Sequence, residues 1–228
     1  MTDGHWRGSQ TAARARHLAR FDAAETDRYH RLVGQLNRQE QDAYLADLGR
    51  VFQLRAGLSV LDAGAGTGTL CTILLRQACL SVTALEPVPA MLARLTGTAE
   101  LQEVTTVEGF CDSGEDRVLF SAGRFDAIVS RQLVNGLFDP LAAFRNWHHW
   151  LAPRGTIVVI DGLYDRSAWQ GGWEEEVDVL PLSTCQSTAV VPYLLEVAGF
   201  RIDTVQHMAS VNALPTTRTP RYVVVARK

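Results

Sequence analysis

The residues best suited to chemistry form a glycine-rich turn that carries one acid. Asp62 is followed at alternate positions by Gly64, Gly66 and Gly68, directly after a short apolar run at 58–61. Glycine lets the backbone turn tightly and lets a ligand approach without meeting a Cβ atom. A strand that ends in such a turn holds its ligand at the carboxyl edge of the sheet. The spacing predicts a binding turn, although nucleotide-binding turns of several kinds and plain tight turns share it.

A second acid refines this interpretation. Glu86 ends the next apolar run, at about the distance of 20 residues at which a ribose-binding carboxylate is expected. Such a carboxylate accepts hydrogen bonds from the sugar hydroxyls. The dinucleotide fingerprint requires Gly or Ala three residues after its second glycine, and this chain has Thr69 there. The turn therefore departs from the dinucleotide pattern and keeps the features of a nucleoside site.

Short apolar runs separated mostly by helical stretches position these acids. Alternating strands and helices form a parallel sheet with helices on both faces, and the crossovers are expected to be right-handed. Two final strands are expected to form an antiparallel edge. We predict an α/β three-layer sandwich with a mostly parallel seven-stranded sheet. Its strands are expected within 58–64, 81–87, 104–110, 125–133, 155–162, 200–207 and 221–228.

The first 53 residues lack this alternation and read as helical. Their apolar positions recur at the spacing of a helix face, and a polar break at 37–42 predicts two helices rather than one. Asp27 is a candidate N-cap for the first of them. We therefore expect an N-terminal helical cap or lid at 1–53 and a ligand-binding domain at 54–228, with an insertion at about 162–192.

Composition limits the classes of function. The formal net charge is −3, and the arginines are spread along the chain apart from a modest cluster at Arg14, Arg16 and Arg20. A nucleic-acid binder usually has a basic domain or stripe, so nucleic acid is not an expected partner. The four cysteines are scattered without a CxxC pair, which predicts neither a metal site nor a disulfide framework. Without a spanning apolar run or a signal-like N-terminus, we expect a cytoplasmic protein and no membrane partner.

Several segments together resemble successive motifs of class I S-adenosylmethionine (SAM)-dependent methyltransferases. The similarity covers roughly residues 55–165. It rests on the combination, since no single motif is specific. It implies a Rossmann-like fold, SAM as the cofactor and S-adenosylhomocysteine (SAH) as the product. The segments are LDAGAGTG, ALEPVPAML, EGFCDSG, FDAIVSRQLVNGLFDP and LAPRGTIVVIDG, with a weaker echo in AGFRIDTV.

The resemblance assigns the methionine and sugar ends of the cofactor to matching residues. It implies that Asp62 places the methionine portion, above a floor formed by the three glycines of the turn. It implies that Glu86 holds the ribose hydroxyls. Ser130 and Arg131 would border the methionine end together with Gln132. Structural interpretations exist for each: a turn cap for Asp62, a solvated strand end for Glu86, and an unrelated ion pair for Arg131.

The resemblance also implies an adenine subsite. Pro87 or Val88 would touch the adenine face, and Asp112 would receive the adenine amino group. Cys111 or Ser113 would supply backbone contacts. An ordinary loop carboxylate is the alternative interpretation of Asp112.

Methyl transfer from a sulfonium needs a nucleophile aligned with the S–CH3 bond and little else, because sulfur leaves as a neutral thioether. Positioning in a water-poor pocket supplies most of the acceleration, and a hydroxyl or protonated amine acceptor also needs a base. The candidates for this catalytic pocket are Gln132, Asn135, Tyr29 and Asp161. Tyr29 also fits plain packing, and Asp161 a structural hydrogen-bonding role. Many relatives have histidine in place of Gln132 and His-His in place of Asn135-Gly136, so histidine-dependent catalysis is not implied here.

The cap and the insertion suggest a lid that closes over a small molecule. An aromatic pair in the insertion, Trp169 and Trp173, would cover a planar acceptor, while the acids at 174–176 more often form a solvated face. We expect a small-molecule partner and a monomer or a homodimer. A dimer would use Trp147, Trp150 and the apolar cap.

Other functions stay open from the sequence. The chain fits a protein or peptide methyltransferase, or a non-catalytic SAM-binding regulator that keeps the fold. A NAD-dependent oxidoreductase is disfavoured by Thr69 and by the lack of a recognisable hydride-transfer set. Whether the acceptor atom is nitrogen, oxygen, carbon or sulfur is not determined.

Overall fold

The computed structural model of the protein describes residues 3–169 and 177–228. Its strands are β1 Ser59–Ala63, β2 Ser81–Glu86, β3 Thr105–Glu108, β4 Phe125–Arg131, β5 Leu151–Gly162, β6 Arg201–His207 and β7 Arg221–Arg227. They form a seven-stranded sheet in the order β3-β2-β1-β4-β5-β7-β6. Neighbouring strands are parallel except at β7, which runs antiparallel to both β5 and β6. The predicted mostly parallel sheet with an antiparallel edge is confirmed.

Helices cover both faces of the sheet. The described helices are α1 Asp3–Arg20, α2 Ala23–Tyr29, α3 Arg38–Val51, α4 Thr69–Leu75, α5 Pro89–Thr96, α6 Pro140–Trp150, α7 Val190–Val197 and α8 Ala209–Asn212. Successive strand residues point to opposite faces, so Leu61 lies in the core cluster that includes α6 and α7, while Val60 lies in the cluster that includes α3 and α4. The three-layer α/β sandwich, a Rossmann-like fold, therefore follows from strands that are apolar on both sides.

Two caps define the N-terminal helices. Asp22 has an extended backbone and accepts a hydrogen bond from Glu25 N at 2.8 Å, so it is the N-cap of α2. The assignment of that cap to Asp27 was wrong, because Asp27 lies inside α2, where its carboxylate accepts from Arg94 at 2.6 Å. The predicted break is real, and Asn37 ends it by forming a reciprocal capping box with Glu40 at the start of α3.

The end of α2 continues into a π-helical turn, His30–Gly34, which lies against the glycine-rich turn. Thr69 Oγ1 donates to Gly34 O at 2.8 Å, and His30 Nδ1 lies 2.8 Å from Thr67 Oγ1. A π-helical turn widens the helix locally and is frequent at functional sites. It brings the N-terminal segment onto the carboxyl edge of β1.

Helix α3 packs into the hydrophobic core of the protein. Its Tyr44 and Leu48 are buried against β1 and α4. The buried carboxylate of Asp47 accepts hydrogen bonds from Ser210 N at 3.0 Å and Val211 N at 2.9 Å, which ties α3 to α8. This acid therefore links the N-terminal and C-terminal parts of the chain.

Both tryptophans expected at a dimer surface lie in the interior. Trp147 and Trp150 are 0% exposed and pack between α6 and the sheet, and Trp150 Nε1 donates to Arg117 O at 2.9 Å. The prediction that they mediate association was wrong, because α6 turns its aromatic stripe toward the sheet. No helix in the described ranges has both the length and the apolar character needed to cross a bilayer. Trp173 and the acids at 174–176 lie outside the described residues.

Candidate functional site

The glycine-rich turn has the backbone conformation that glycine alone adopts readily. The φ angles of Gly64, Gly66 and Gly68 are 67°, 55° and 90°. A Cβ atom at Gly64 would collide with Leu133, and one at Gly68 would collide with Leu95 and Leu101. At Gly66 the nearest atom would be Met91 Sδ at 3.9 Å, so Gly66 has the most open side of the turn.

Two buried acids flank this turn at the ends of β1 and β2. Asp62 is 1% exposed; its Oδ2 accepts from Cys71 Sγ at 3.1 Å, whereas its Oδ1 has no partner among the described residues. Glu86 accepts from Gly66 N at 2.9 Å and Val88 N at 3.0 Å. Burial raises the pKa of each carboxyl to about 7. Both acids can therefore change charge near neutral pH when a cation or a hydroxyl donor comes close.

The end of β4 carries three polar side chains with unused atoms. Within the described ranges, Ser130 Oγ, Arg131 Nε and Gln132 Oε1 are buried and have no hydrogen-bond partner. The Arg131 guanidinium lies 5.1 Å above the ring of Tyr44, and its Nη2 lies 3.4 Å from Val33 O. Gln132 has a φ of 54°, a strained conformation for a non-glycine residue that is common at functional sites.

The third acid, Asp112, lies after β3 and is already paired. Its carboxylate accepts from the Arg14 guanidinium of α1 and from Phe138 N, the latter at 2.7 Å. Asn146 Nδ2 donates to the backbone carbonyls of Cys111 at 2.9 Å and Ser113 at 2.6 Å. These contacts fix the expected adenine loop in place.

Helix α1 contributes a residue that the sequence did not single out as functional. Arg14 pairs with Asp112 and also with Asp116 at 2.7 Å, and its guanidinium lies 4.4 Å from the ring centre of Phe110. Gln10 Nε2 donates to Asp112 O at 3.0 Å. The only signal in the sequence was the modest arginine cluster. The helix covers the expected adenine end of the site.

Two residues placed beside adenine differ in their surroundings. Val88 is fully buried and packs against Phe21 and Met91, which leaves it under the lid segment. Pro87 is half-buried at the start of the same loop. Pro87 is thus the more accessible of the pair.

Tyr29 lies over the turn from the lid side. A cavity of about 20 Å³ brings it together with Asp62, Gly66 and Arg131. Its ring packs edge-on against Phe21 with 5.8 Å between centroids, and burial raises its pKa to about 12. Tyr29 is therefore a neutral phenol at physiological pH and can donate a hydrogen bond but not accept a proton.

Asp161 holds the backbone of its own edge. Its Oδ2 accepts from Asn135 N at 3.1 Å and its Oδ1 from Gly162 N at 2.7 Å, while burial raises its pKa to about 6. One oxygen therefore positions the loop after β4, and the other binds the end of β5. Asn135 is buried beside it.

Sequence reasoning missed two residues beside Gln132. Gln132 Nε2 donates to Tyr164 Oη at 2.7 Å, and Arg221 Nη1 donates to the same oxygen at 2.6 Å. Tyr164 follows β5 by two residues, and Arg221 begins the antiparallel β7. The predicted antiparallel edge could have identified Arg221, because the first residue of an antiparallel strand lies at the carboxyl edge of the parallel strands beside it.

The chemistry of these groups fits SAM. An unpaired carboxyl oxygen on Asp62 matches an ammonium group, and the buried guanidinium of Arg131 matches a carboxylate. Glu86 at the end of β2 matches the hydroxyls of a ribose. A Cβ atom at Gly66 would meet no atom closer than 3.9 Å, so the turn carries no close side chain between them.

Comparison with known proteins identifies the family. A family model described as "Methyltransferase domain" matches residues 36–205. A ubiquinone biosynthesis O-methyltransferase from Xanthomonas campestris is 32% identical over 103 residues, which are 45% of this chain and 42% of that protein. The chain thus matches less than half the length of this curated relative.

Solved structures share the fold at lower identity. A SAM-dependent methyltransferase from Aquifex aeolicus superposes with a TM-score of 0.66 at 20% identity, covering 91% of this chain and 98% of that one. A phosphoethanolamine N-methyltransferase from Haemonchus contortus, solved with S-adenosyl-L-methionine, gives 0.65 at 16% identity over 92% of this chain and 58% of its own. With the family model spanning well over half of its length, this chain belongs to the SAM-dependent methyltransferase domains of class I, whose cofactor is S-adenosylmethionine.

Proposed function

We propose that this protein transfers a methyl group from SAM to a small-molecule acceptor at the carboxyl edge of β1, β4 and β5. One observation carries the proposal. Asp62 Oδ1, Ser130 Oγ, Arg131 Nε and Gln132 Oε1 are buried without partners among the described residues, and they lie at or directly after the ends of the paired strands β1 and β4. Unsatisfied buried polar groups cost free energy and call for an explanation in a native fold. A bound ligand that pairs with them is the explanation that the family supports.

Each residue then has a defined task. Asp62 and Arg131 hold the two charged groups of the methionine portion, and Glu86 holds the ribose. The backbone beside Cys111 and Ser113, together with Pro87 and Asp112, contacts adenine. When bound, SAM supplies a methyl group on a sulfonium sulfur that leaves as a neutral thioether. The chain itself orients the acceptor and excludes water, which accounts for most of the expected acceleration.

We propose a small acceptor because N-terminal segments of the chain cover much of the carboxyl edge of the sheet. Tyr29 and the π-helical turn lie over the glycine turn, and α1 lies over the adenine loop. We also propose the division into a cap at 1–53 and a binding domain at 54–228. Within that cap, α3 packs into the core, so we assign movement to the part before residue 38.

Cofactor binding is tested with two matched acid substitutions. Glu86 and Glu108 are register partners at the ends of β2 and β3, but Glu108 is exposed. We expect Glu86→Gln to weaken SAH binding by about tenfold or more in titration calorimetry, because charged hydrogen bonds to the ribose are lost. Glu108→Gln should bind like the wild type. Equal affinities in all three proteins, or no SAH binding at all, would refute the proposed site.

Turnover is a separate measurement. Wild-type protein with SAM and a panel of metabolites should form SAH only when an acceptor is present. Methylation of a peptide library in preference to every small molecule would favour the protein or peptide alternative. Tight SAH binding without turnover on either panel would favour a non-catalytic regulator.

A further inference from the structure

A second polar cluster lies at the same edge of the sheet and shares only Gln132 with the proposed cofactor residues. Its centre is Tyr164 Oη, which accepts hydrogen bonds from Arg221 Nη1 at 2.6 Å and Gln132 Nε2 at 2.7 Å. Two donors on one phenol oxygen leave the O–H hydrogen to be donated to a third group. Gln132 Oε1 is buried and has no partner within the described ranges, so the amide also has an unused end.

The fold holds Arg221 in place before a ligand binds. Asn212 Oδ1 accepts from Arg221 N at 2.7 Å, and Asn212 Nδ2 donates to Arg221 O at 2.9 Å. Gly162 lies opposite Arg221 in the β5–β7 register. A Cβ atom at Gly162 would collide with the guanidinium and with the Tyr164 ring, so this glycine provides the space for the pair.

The Arg221 guanidinium forms no ion pair within the part of the chain that the structure describes. Asp161, the buried acid of the same edge, uses its oxygens for the backbone amides of Asn135 and Gly162. A fixed guanidinium with unused N–H donors binds carboxylates and other oxyanions through strong, charge-assisted hydrogen bonds.

The tyrosines described around this cation are poor proton acceptors. Burial raises the pKa of Tyr29 to about 12 and also raises the pKa of Tyr164, so both stay protonated at neutral pH. Burial raises the pKa of Asp161 to about 6, but each of its oxygens already accepts from a backbone amide. A neutral hydroxyl acceptor would need a base, whereas an acceptor that is already anionic would not.

We propose that Arg221, supported by Tyr164 and Gln132, selects a methyl acceptor that carries an oxyanion on a planar ring, either a phenolate or a carboxylate. The rings of Tyr164 and Trp169, with centroids 5.6 Å apart, provide aromatic surface beside the cation. This inference rests on the proposed function and names the acceptor class of the same site. Transfer to the oxyanion forms one O–C bond and breaks one S–C bond. The bonding pair goes to sulfur, the two charges cancel, and no proton moves.

Binding to the SAH-saturated protein tests this assignment without relying on turnover. The carboxylate arm compares 3,4-dihydroxybenzoate with its uncharged amide, and the phenolate arm compares 4-nitrocatechol with catechol. In at least one arm, we expect the anionic probe to bind about tenfold tighter or more, the usual scale of a charge-assisted hydrogen bond. Arg221→Gln should reduce that ratio to near one. Arg218→Gln, an exposed arginine three residues away, should keep it.

The outcomes separate this inference from the function it rests on. Equal binding of charged and neutral probes in both arms, no binding of any probe, or an unchanged ratio in Arg221→Gln would overturn the oxyanion assignment while leaving SAH binding intact. Tyr164→Phe should lower the ratio partway in a folded protein. It removes the phenol O–H donor, and it removes the oxygen that orients the Arg221 guanidinium. Loss of SAH binding by the wild type would refute the proposed function instead.

Discussion

At the scale of single residues, the glycine-rich turn is flanked by two acids that form no ion pair among the described residues. Asp62 and Glu86 lie in the interior, and the cost of burying a charged carboxylate is what raises the pKa of each to about 7. An ordinary aspartate would be ionised throughout the physiological range. These two switch within it, so ligand binding and protonation are coupled.

That coupling gives a pH prediction for Asp62. Its pKa is about 7 without ligand, and a cationic ammonium favours the ionised form, so binding expels a proton. SAH affinity should therefore reach its maximum above about pH 8 and should decrease below pH 7. The decrease should be up to about tenfold per pH unit for each proton released on binding. The Asp62→Asn variant should bind SAH more weakly, and the part of the pH dependence that comes from the Asp62 carboxyl should disappear.

Titration calorimetry from pH 5.5 to 8.5 in buffers of different ionisation enthalpy measures both the affinity and the protons released. Asp203→Asn changes an acid on the edge strand β6 and is the control, and this variant should bind SAH with the same pH dependence as the wild type. Proton uptake on binding, or a wild-type affinity that is flat across this range, would contradict the assignment.

At the scale of elements, ion pairs of Arg14 fasten α1 to the loop after β3. Arg14 contacts both Asp112 and Asp116, and its side chain is 18% exposed while that of Asp112 is 3% exposed. Partly buried, charge-assisted pairs of this kind contribute more than surface pairs do. The docking of α1 should therefore depend strongly on this one arginine.

Arg14→Gln should release α1 from the loop. We expect the amides of residues 10–20 to exchange with deuterium about tenfold faster or more, because the loss of hydrogen bonds to charged groups costs about 1.5–3 kcal/mol. Arg16→Gln changes an exposed arginine of the same helix and should exchange like the wild type. If both variants exchange alike, α1 is held by other contacts and the ion pairs are incidental.

At the scale of the whole molecule, one buried acid joins distant parts of the chain. Asp47 on α3 accepts from two backbone amides at the start of α8, more than 160 residues later in the sequence. Asp47 also pairs with Arg50 on its own helix. Removal of the carboxylate would strand two N–H groups at a site where the acid is 1% exposed.

Asp47→Ala should lower the free energy of unfolding by about 1–3 kcal/mol, the cost of leaving buried donors unsatisfied. Asp42→Ala, on the exposed side of the same helix, removes only surface ion pairs and should cost less than about 1 kcal/mol. Urea unfolding followed by circular dichroism measures both. A similar loss for the two variants would show that the amides at 210 and 211 find water in the absence of the acid.

The sequence by itself determined the sheet and the turn of this protein. Strands with apolar side chains on both faces and glycines at three alternate positions are local patterns, so their type and order follow from neighbouring residues. The break at Asn37 was also local, since a capping box uses residues three apart. The cap of α2 was misplaced by five residues, because Asp22 and Asp27 look alike until the backbone shows which of them is extended.

Only the tertiary structure decided which side chains meet. Arg14 and Asp112 are 98 residues apart, and Arg221 and Tyr164 are 57 apart, so no periodicity relates them. The same holds for Trp147 and Trp150, whose burial depends on how α6 rotates onto the sheet. Long-range pairing is set by the packing of whole elements. For this reason the sequence predicted the edge of the sheet at which Tyr164 and Arg221 lie, but it did not predict their contact.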